Sequence, residues 1–366
     1  MRILQLCPRV PWPPNDGGRV AMLEITRGLA GQGVEVEVLS LDPAKHRGDA
    51  AAAQRALAPV PLDTVAIDTS AFLHAALAAR RLDVPWLVAR FWSPELVRRI
   101  AARLGERRYD VVHLESPFLL PYVGAIRGAS RAPIALRLQN VEFRIWEHLA
   151  AREPRGVRRA VLARLAASLR HWEIAHLEDA DALLPISRQD EADLRALGAT
   201  RPSLILPCGI DVAALPPSQA GGGDPLALYF VGSMLYRPNL EAVEWILERL
   251  WPRLVAREPR IRLTVAGSAF PRPLRERLES AGIATAADVA DLTAFAAPFG
   301  AMIAPLFSGS GMRIKVLGAM ALGKPVIATR LGVGGIEVTP GEDALVADDP
   351  VAFAEAVIRC VRDRAL

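Results

Sequence analysis

The feature that most limits what this chain can fold into is a repeated alternation of short apolar runs with helix-like stretches. Runs such as "RILQLC" (2–7) have the length and composition of buried strands, and stretches such as 17–32 have apolar residues at helical spacing. Strand-like runs lie at 2–7, 34–40, 63–68, 109–115, 132–138, 181–187 and 203–207. Near-continuous apolar strands separated by helices predict an α/β fold, a parallel sheet covered by helices on both faces.

This rhythm stops once and then restarts. The stretch "PPSQAGGGDP" (216–225) is rich in Pro, Gly and Ser, which is typical of a linker. Beyond it we expect strands at 226–232, 260–267, 300–306 and 324–329, a short strand within 281–290, and helices at 239–256 and 351–364. The sequence therefore predicts two doubly wound, Rossmann-like domains, 1–207 and 226–366, joined by a linker over 208–225. The last helix is expected on its own domain or packed back on the N-terminal one.

The composition of the chain bears on membrane insertion, on the cellular compartment and on the state of the cysteines. The chain of 366 residues is 51% hydrophobic, but no apolar run approaches the ~18 residues that span a bilayer. The apolar run at the start is too short for a signal peptide, so we expect a cytoplasmic protein. Cys7, Cys208 and Cys360 are too widely spaced for a metal cluster and odd in number, which favours buried free thiols.

Charge is unevenly distributed along the chain. The formal net charge is +4, yet residues 70–172 hold 18 Arg against 8 Asp and Glu, interleaved with aromatic residues such as Trp86 and Trp146. A solvated helix face and an anionic partner both remain open. Among anionic partners the inner membrane leaflet is favoured. Nucleic acid is not expected, because no nucleic-acid-binding motif accompanies the charge.

Two loops have residues suited to binding an anion. In "PRVPWPPNDGGRV" (8–20), Gly17 and Gly18 permit close approach of backbone N–H groups at a helix start, although a tight turn explains them equally well. In Phe307–Gly332, Gly309 and Gly311 precede a helix expected to begin near Met312, with Arg313 and Lys315 in its first turn. The helix dipole disfavours cations there. The pair therefore indicates a phosphate-bearing ligand.

These residues carry a resemblance to a known family. The runs "YFVGSMLYRPNLEAVEWILERLWPRL" (229–254) and "SGSGMRIKVLGAMALGKPVIATRLGVGGIEV" (308–338) resemble the C-terminal domain of family-4 retaining glycosyltransferases, which have the GT-B fold of two domains facing a cleft. The likeness extends to "RVPWPPNDGGRV", "YDVVHLE", "LQNVEFRIWE" (138–147) and "LPCGID" (206–211). Within this family, the chain resembles above all the bacterial sugar transferases of polysaccharide and lipopolysaccharide synthesis.

The resemblance implies a chemistry and a site. A UDP- or GDP-type sugar donor would bind the C-terminal domain, with Arg313 and Lys315 on its diphosphate, and the sugar would pass with retention to a glycan or lipid-linked glycan. No cofactor and no metal are expected, because fixed cations stabilise the leaving diphosphate. The donor-binding residues implied are Gly232, Ser233, Gly267, Ser310, Gly311, Met312 and Gly318. Those implied for the acceptor and cleft are Gly17, Gly18, Glu115, Gln139, Asn140 and Glu142.

Two departures from the family pattern matter. Gly318 stands where the family usually has a Glu that accepts hydrogen bonds from the nucleotide ribose, and Gln139 stands where related sequences often have His. A weakly active, nucleotide-sugar-binding partner protein is therefore the alternative. A nicotinamide-dependent oxidoreductase is a third reading, but the first strand lacks a following GxGxxG motif and Leu39-Ser40-Leu41 ends the expected second strand, with Asp42 next.

Other polar residues indicate ordinary structure. The "DAD" triplet at 179–181 mimics a metal-binding motif but precedes a strand, which favours a polar turn. His148, His171 and His176 lie in helical sequence without metal-ligand spacing, and His113 ends a strand beside Glu115.

Overall fold

The structure is a computed structural model that describes residues 1–14, 16–47, 49–215, 222–289, 291–309 and 311–363. Apart from the short segment 310–312, the chain divides into two compact units, Met1–Gly209 and Ile210–Leu366. Each unit contains one parallel sheet of six strands with helices on both faces, so the predicted fold class is confirmed. Residues 216–221 of the predicted linker, 208–225, lie outside the described residues.

The first unit has its strands in the order β3-β2-β1-β4-β5-β6. The strands are β1 Arg2–Cys7, β2 Glu35–Pro43, β3 Leu62–Ile67, β4 Val111–Leu114, β5 Ile134–Leu138 and β6 Ala182–Pro185. The α-helices are α1 Gly17–Gly31, α2 Ala50–Leu57, α3 Phe72–Leu82, α4 Trp86–Ala89, α5 Pro94–Glu106, α6 Val123–Ala129, α7 Glu142–Arg152, α8 Val157–His176 and α9 Arg188–Ala196. The break between α7 and α8 includes Pro154-Arg155-Gly156, where proline lacks the backbone N–H that a helix interior needs.

The second unit repeats the pattern with the strand order β12-β11-β10-β7-β8-β9. The strands are β7 Asp224–Val231, β8 Arg262–Gly267, β9 Ala284–Ala287, β10 Phe299–Ala304, β11 Val326–Ala328 and β12 Leu345–Val346. The α-helices are α10 Arg237–Trp245, α11 Trp251–Arg257, α12 Arg272–Ser280, α13 Leu292–Ala296, α14 Ile314–Ala321 and α15 Pro350–Arg362. The closing helix α15 lies in this unit, where Phe353 and Val357 are part of the core.

The strands form because their side chains are buried on both faces. In β2 every residue after Glu35 is buried, although the sequence alternates Glu with Val. Glu37 tolerates burial because its carboxylate accepts a 2.6 Å hydrogen bond from the Tyr109 hydroxyl and pairs with Arg103. A charged group can lie inside a sheet when such partners replace water.

Three local expectations were wrong or incomplete. The run 203–207 is not a strand: only Ser203 forms an isolated bridge to β6, and Leu204 is 65% exposed. Pro202 and Pro207 remove backbone donors on either side of it. The predicted helix 239–256 is interrupted by a π-helical turn over Ile246–Leu250, and β12 was not anticipated. The short strand expected in 281–290 is confirmed as β9.

Buried polar groups also hold the second unit together. The Lys324 ammonium, 3% exposed, donates to the backbone carbonyl of Gly222, to that of Ala297 at 2.9 Å and to that of Phe299 at 2.8 Å. These hydrogen bonds hold the segment before β7 next to the start of β10, so Lys324 has a structural role. The three cysteines are buried free thiols, as predicted. No helix in the described part of the chain is long and apolar enough to cross a membrane.

Candidate functional site

Both sheets have a switch point, where successive crossovers leave in opposite directions along the sheet. In the first unit it lies between β1 and β4, and in the second between β7 and β10. Ligands of doubly wound sheets bind at the carboxyl ends of strands beside such points. The predicted site residues follow these strands or their neighbours, so each unit has its own candidate site.

The carboxyl ends of β7 and β8 approach each other closely because both carry glycine. A Cβ atom added to Gly267 would lie 1.9 Å from the carbonyl oxygen of Gly232. One added to Gly232 would lie 2.5 Å from the side chain of Asn239. Neither position therefore accepts a side chain unless its neighbours move. No side chain of its own covers the backbone at either glycine.

Asn239 joins the predicted residues of the second unit into one network. Its Nδ2 donates to the carbonyl of Ser233 at 2.9 Å, and its Oδ1 accepts from Lys315 Nζ at 2.7 Å. Lys315 also donates to the carbonyl of Val231 at 2.9 Å and lies 4.2 Å from the centre of the Phe230 ring. The sequence analysis did not identify Asn239; its only signal was a polar residue among the apolar positions of α10.

The segment before α14 needs its glycines. Gly309 has φ +100° and Gly311 has φ +77°, a region that L side chains rarely adopt. The helix begins at Ile314, two residues later than expected, so Arg313 occupies the N-cap position and Lys315 the first turn. That turn contains no acidic residue. Met312 is partly buried, and Ser310 lies outside the described residues.

The surroundings of Lys315 lower its pKa. Burial, followed by the nearby Arg313 cation, lowers its pKa to about 7 from the 10.5 usual for lysine. Its hydrogen-bond partners are neutral oxygens, of Val231 and Asn239, and neither is a carboxylate. An anion that arrived here would restore the charged form of the lysine.

Gly318 occupies the middle of α14 without a packing reason. A Cβ atom there would meet only the Cδ1 of Ile210, at 3.8 Å, which is an ordinary van der Waals distance. Its φ is not in the left-handed region. The structure therefore does not explain why glycine stands at 318.

The first unit contains a cavity of about 380 Å³ at the carboxyl end of its sheet. Five of the six residues predicted for the acceptor line it: Gly18, Glu115, Gln139, Asn140 and Glu142. Gly17 does not; it is exposed at the start of α1. Sequence reasoning missed other lining residues, among them Arg9, Lys45 and Arg90.

Gly18 allows three polar side chains to converge at the start of α1. A Cβ atom there would lie 2.4 Å from Arg9 Nη2 and 3.1 Å from Gln139 Oε1. Arg9 forms a 2.7 Å ion pair with Asp16, whose carboxylate also accepts from the backbone N–H of Arg19 and so caps α1. The glycine thus brings a cation and an amide to the cavity wall.

Glu115 forms the buried base of this cavity. Its carboxylate accepts from Gln5 Nε2 at 2.7 Å, from Arg137 Nη1 at 3.2 Å and from Gln139 Nε2 at 3.2 Å. Burial disfavours the charged carboxylate, but Arg137 and the other donors outweigh it and lower the pKa. Because Gln139 gives its NH₂ group to Glu115, its oxygen remains to accept a hydrogen bond.

Glu142 and Glu173 form a second acidic pair with the opposite tendency. Glu173 accepts from the backbone N–H groups of Glu142 at 3.2 Å and Phe143 at 3.1 Å, which fixes the start of α7. Burial, reinforced by Glu173, raises the pKa of Glu142 to about 8, and burial raises that of Glu173 to about 7. A protonated Glu142 would present a hydrogen-bond donor to the cavity.

The remaining polar candidates have structural partners. Asp181 of the "DAD" triplet pairs with Arg127 at 2.6 Å and accepts from the backbone N–H of Ile134. His176 contacts the carbonyl of Trp172 within α8. Within the described ranges, no three His, Cys, Asp or Glu residues are placed to hold a metal ion. Asp42 does lie near the end of β2, which is longer than expected, but it pairs with Arg47.

Comparison with known protein families identifies the chain. A model described as a glycosyl transferase 4-like domain matches residues 16–209, more than half of the chain, and one described as glycosyl transferases group 1 matches residues 225–363. The chain therefore belongs to the group 1 glycosyltransferases, and its two Rossmann-like units are those of the GT-B fold.

The chain is also similar to individual proteins, and the solved structures among them share its fold. A protein described as an uncharacterized 44.6 kDa protein in the cps region of Klebsiella pneumoniae is 29% identical over 192 residues, 49% of this chain and 46% of that protein. The chain thus matches about half the length of that relative. The structure of Anabaena HepE in complex with UDP superposes with a TM-score of 0.65 at 14% identity, covering 99% of this chain and 90% of HepE. The structure of sucrose-phosphate synthase from Thermosynechococcus elongatus superposes with a TM-score of 0.67 at 17% identity, covering 100% of this chain and 91% of the synthase.

The Glu142–Glu173 pair predicts a pH dependence of stability. Because the folded protein holds protons that the unfolded chain releases above about pH 4.5, stability should fall as pH rises through about 8. Between about pH 5 and about pH 9, the Tm of Glu142→Gln should fall less than the Tm of wild type. Each kcal/mol of unfolding free energy that the variant retains corresponds to about 2–4 °C in Tm. Glu147→Gln, an exposed change on the same helix, is the control. Equal slopes for wild type, Glu142→Gln and the control would contradict the raised pKa.

Proposed function

We propose that the protein transfers a sugar, with retention of configuration, from a nucleoside diphosphate sugar to a glycan or lipid-linked glycan. The observation that carries this proposal is the Arg313–Lys315 pair at the start of α14, beside the bare backbone of Gly232 and Gly267. Membership of the group 1 glycosyltransferases supports the reaction class. The pair would hold the donor diphosphate.

The chemical demand is stabilisation of the negative charge that develops on the departing diphosphate. Two fixed cations meet it without reorganising at the moment of reaction. Lys315 acts as a point charge held by Val231 and Asn239, while the Arg313 fork suits a phosphate oxygen pair. We propose that no divalent metal is required, and that the leaving phosphate accepts the proton of the acceptor hydroxyl.

The relatives suggest the substrates. HepE, which shares the fold, has been crystallised with UDP and with UDP-glucose, and this favours a UDP-hexose donor over a GDP-type donor. The Klebsiella relative is described as lying in a cps region, which favours a role in polysaccharide assembly. The acceptor would then be a growing bacterial glycan, of capsular or lipopolysaccharide type, bound in the cavity of the first unit.

The alternative function is a weakly active protein that binds a nucleotide sugar as a partner subunit. Gly318 favours it, because the ribose-binding carboxylate implied by the family resemblance is missing and packing does not demand a glycine. The intact network of Lys315, Asn239 and Ser233 favours an enzyme instead. Turnover of the wild type and of the Gly318→Glu variant separates the two.

We further propose peripheral contact with an anionic membrane at the inner face. On α3, Leu73 and Leu77 are 72% and 62% exposed, and on α8, Val157 and Val161 are 82% and 52% exposed. Helix α4 lies beside both α3 and α8. Exposed arginines accompany these apolar side chains: Arg80, Arg81, Arg155, Arg158, Arg159 and Arg164. Exposed apolar and basic side chains together suit an anionic lipid surface.

The lowered pKa of Lys315 predicts that UDP binding takes up a proton. At about pH 8 the nucleotide phosphate is already ionised, so uptake reports on the protein. Calorimetry in excess EDTA, in buffers of different ionisation enthalpy, should show uptake in wild type and none in Lys315→Gln. Lys315→Gln should also bind UDP about 10–100-fold more weakly, and Arg272→Gln, an exposed change on α12, should not. Unchanged UDP affinity in Lys315→Gln would refute the diphosphate assignment.

Gly318→Glu should both stabilise the protein and tighten donor binding. Replacing glycine inside a helix gains up to about 1 kcal/mol, and a new hydrogen bond to the ribose about 1–3 kcal/mol. Gly318→Ala is the matched control, since it gains helix propensity without a carboxylate. Thermal unfolding measures the first effect and UDP titration the second. If Gly318→Glu and Gly318→Ala bind UDP equally well, another group already holds the ribose.

Membrane contact predicts sedimentation with vesicles that contain phosphatidylglycerol, and none with phosphatidylcholine alone. Each arginine near an anionic surface contributes about 1 kcal/mol, which salt weakens. The triple variant Arg155→Gln, Arg158→Gln, Arg159→Gln should therefore sediment less, with unchanged UDP affinity. Arg272→Gln with Arg275→Gln and Arg330→Gln provides a control of equal charge change. Equal sedimentation of the two triple variants would leave these arginines as ordinary solvated residues.

A further inference from the structure

About half of the arginines described in the first unit pair with carboxylates, and Arg90 is among those that do not. Arg99, for example, contacts both Asp63 and Glu95. Arg90 is half-buried in the cavity wall, where its Nε donates to the carbonyl of Thr69 at 2.7 Å and its guanidinium lies 4.9 Å from the centre of the Trp86 ring. Among the described residues no carboxylate lies within ion-pair distance of it, and burial lowers its pKa.

Lys45 adds a second uncompensated cation to the same cavity. It is one of only three lysines in the chain, and the other two have clear roles in the second unit. Lys45 lies at the exposed margin of the cavity, and in the part of the chain that the structure describes no side chain or carbonyl pairs with it. An exposed lysine alone indicates little, but Lys45 and Arg90 line the same cavity.

The acidic residues of the cavity do not balance these two cations. Glu115 is already occupied by Arg137, Gln5 and Gln139. Burial, reinforced by Glu173, raises the pKa of Glu142 to about 8, which disfavours its charged form near neutral pH. The third cation, Arg9, is paired with Asp16. Arg90 and Lys45 are therefore the two cations of the cavity wall that have no carboxylate partner among the described residues.

The cavity also has an apolar wall suited to a sugar ring. Phe91 and Phe118 both line it, and their rings are stacked with centroids 4.9 Å apart and planes 3° apart. Apolar surface with a few fixed polar groups is typical of sites that bind a small, oriented ligand. A neutral sugar would leave Arg90 and Lys45 unmatched, which costs free energy as the ligand displaces water.

We propose that this cavity binds an acceptor that carries an oxyanion, a phosphate or a carboxylate, held by Arg90 and Lys45. The inference rests on the proposed function and names the charge class of its acceptor. Arg90 would act as a fork to two oxygens and Lys45 as a point charge. Gln139 would accept a hydrogen bond from a sugar hydroxyl through its free oxygen.

The test compares glucose, glucose 6-phosphate and glucuronate as probes, by ligand-observed NMR on the full chain at constant ionic strength and near neutral pH. The two anionic probes should bind and glucose should bind at least about tenfold more weakly, as expected for charge-assisted hydrogen bonds. Binding by glucose 6-phosphate alone assigns a phosphate acceptor, and binding by glucuronate alone a uronate-containing glycan. Either result supports the proposal.

Variants decide whether the two cations are responsible. Arg90→Gln and Lys45→Gln should each weaken the anionic probe about tenfold or more, while Arg98→Gln, an exposed change on α5, should not. Arg90→Lys should recover part of the affinity. If Arg90→Gln does not fold, exposed Lys45 still provides the test. Anion affinity that is unchanged in Lys45→Gln, or equal to that of glucose, would overturn the proposal.

UDP titration of the same variants separates this proposal from the proposed function. Arg90 and Lys45 lie in the first unit, whereas the residues assigned to the donor diphosphate lie in the second. UDP affinity should therefore stay within about twofold of wild type in every variant of this series. If UDP binds normally but the cavity shows no preference for anionic probes, the proposal of an anionic acceptor is refuted and the proposal of glycosyl transfer is not.

Discussion

The parallel pairing of every strand is the constraint on which the sites of this protein depend. All strand pairs in both sheets are parallel, so each strand must be followed by a crossover before the next one begins. All carboxyl ends of a sheet consequently lie along one edge. Loops that leave in opposite directions at the switch point open a space between them. Gly18, Glu115 and Gln139 are far apart in sequence, yet this edge brings them to one cavity.

Charged groups at these edges are buried, and their partners decide what they can do. Arg137 and the other donors around Glu115 lower its pKa despite burial, whereas burial, reinforced by Glu173, raises the pKa of Glu142 to about 8. Lys315 is buried near Arg313 and donates to the neutral oxygens of Val231 and Asn239, and burial, followed by the Arg313 cation, lowers its pKa to about 7. The two apolar cores of each unit stabilise a fold that tolerates these costs.

How much the sequence could predict depended on the distance over which its signals act. Glycines before a helix and cations in its first turn are local patterns, and Gly309, Gly311 and Lys315 were recognised from them. Asn239 was missed because its importance comes from contacts with Ser233 and Lys315, which lies 76 positions away. Arg90 was counted only as part of a basic region, since nothing local distinguishes an arginine without a carboxylate from its paired neighbours. The run 203–207 looked like a strand because of its apolar composition; its backbone does hydrogen-bond to β6 through Leu204 and Leu206, but only Ser203 forms a bridge.

The sequence by itself determined the α/β class, the restart of alternating strands and helices beyond the linker, and the glycine-containing turn before the helix that carries Lys315. These follow from periodicity and from backbone conformation, both of which act between near neighbours in the chain. Only the tertiary structure decided that Lys324 serves the fold while Lys315 lies beside Asn239, that the pKa of Glu142 is raised while that of Glu115 is lowered, and that Lys45 shares a cavity with Arg90. Desolvation and charge pairing set these properties, and both depend on which distant residues the fold brings together.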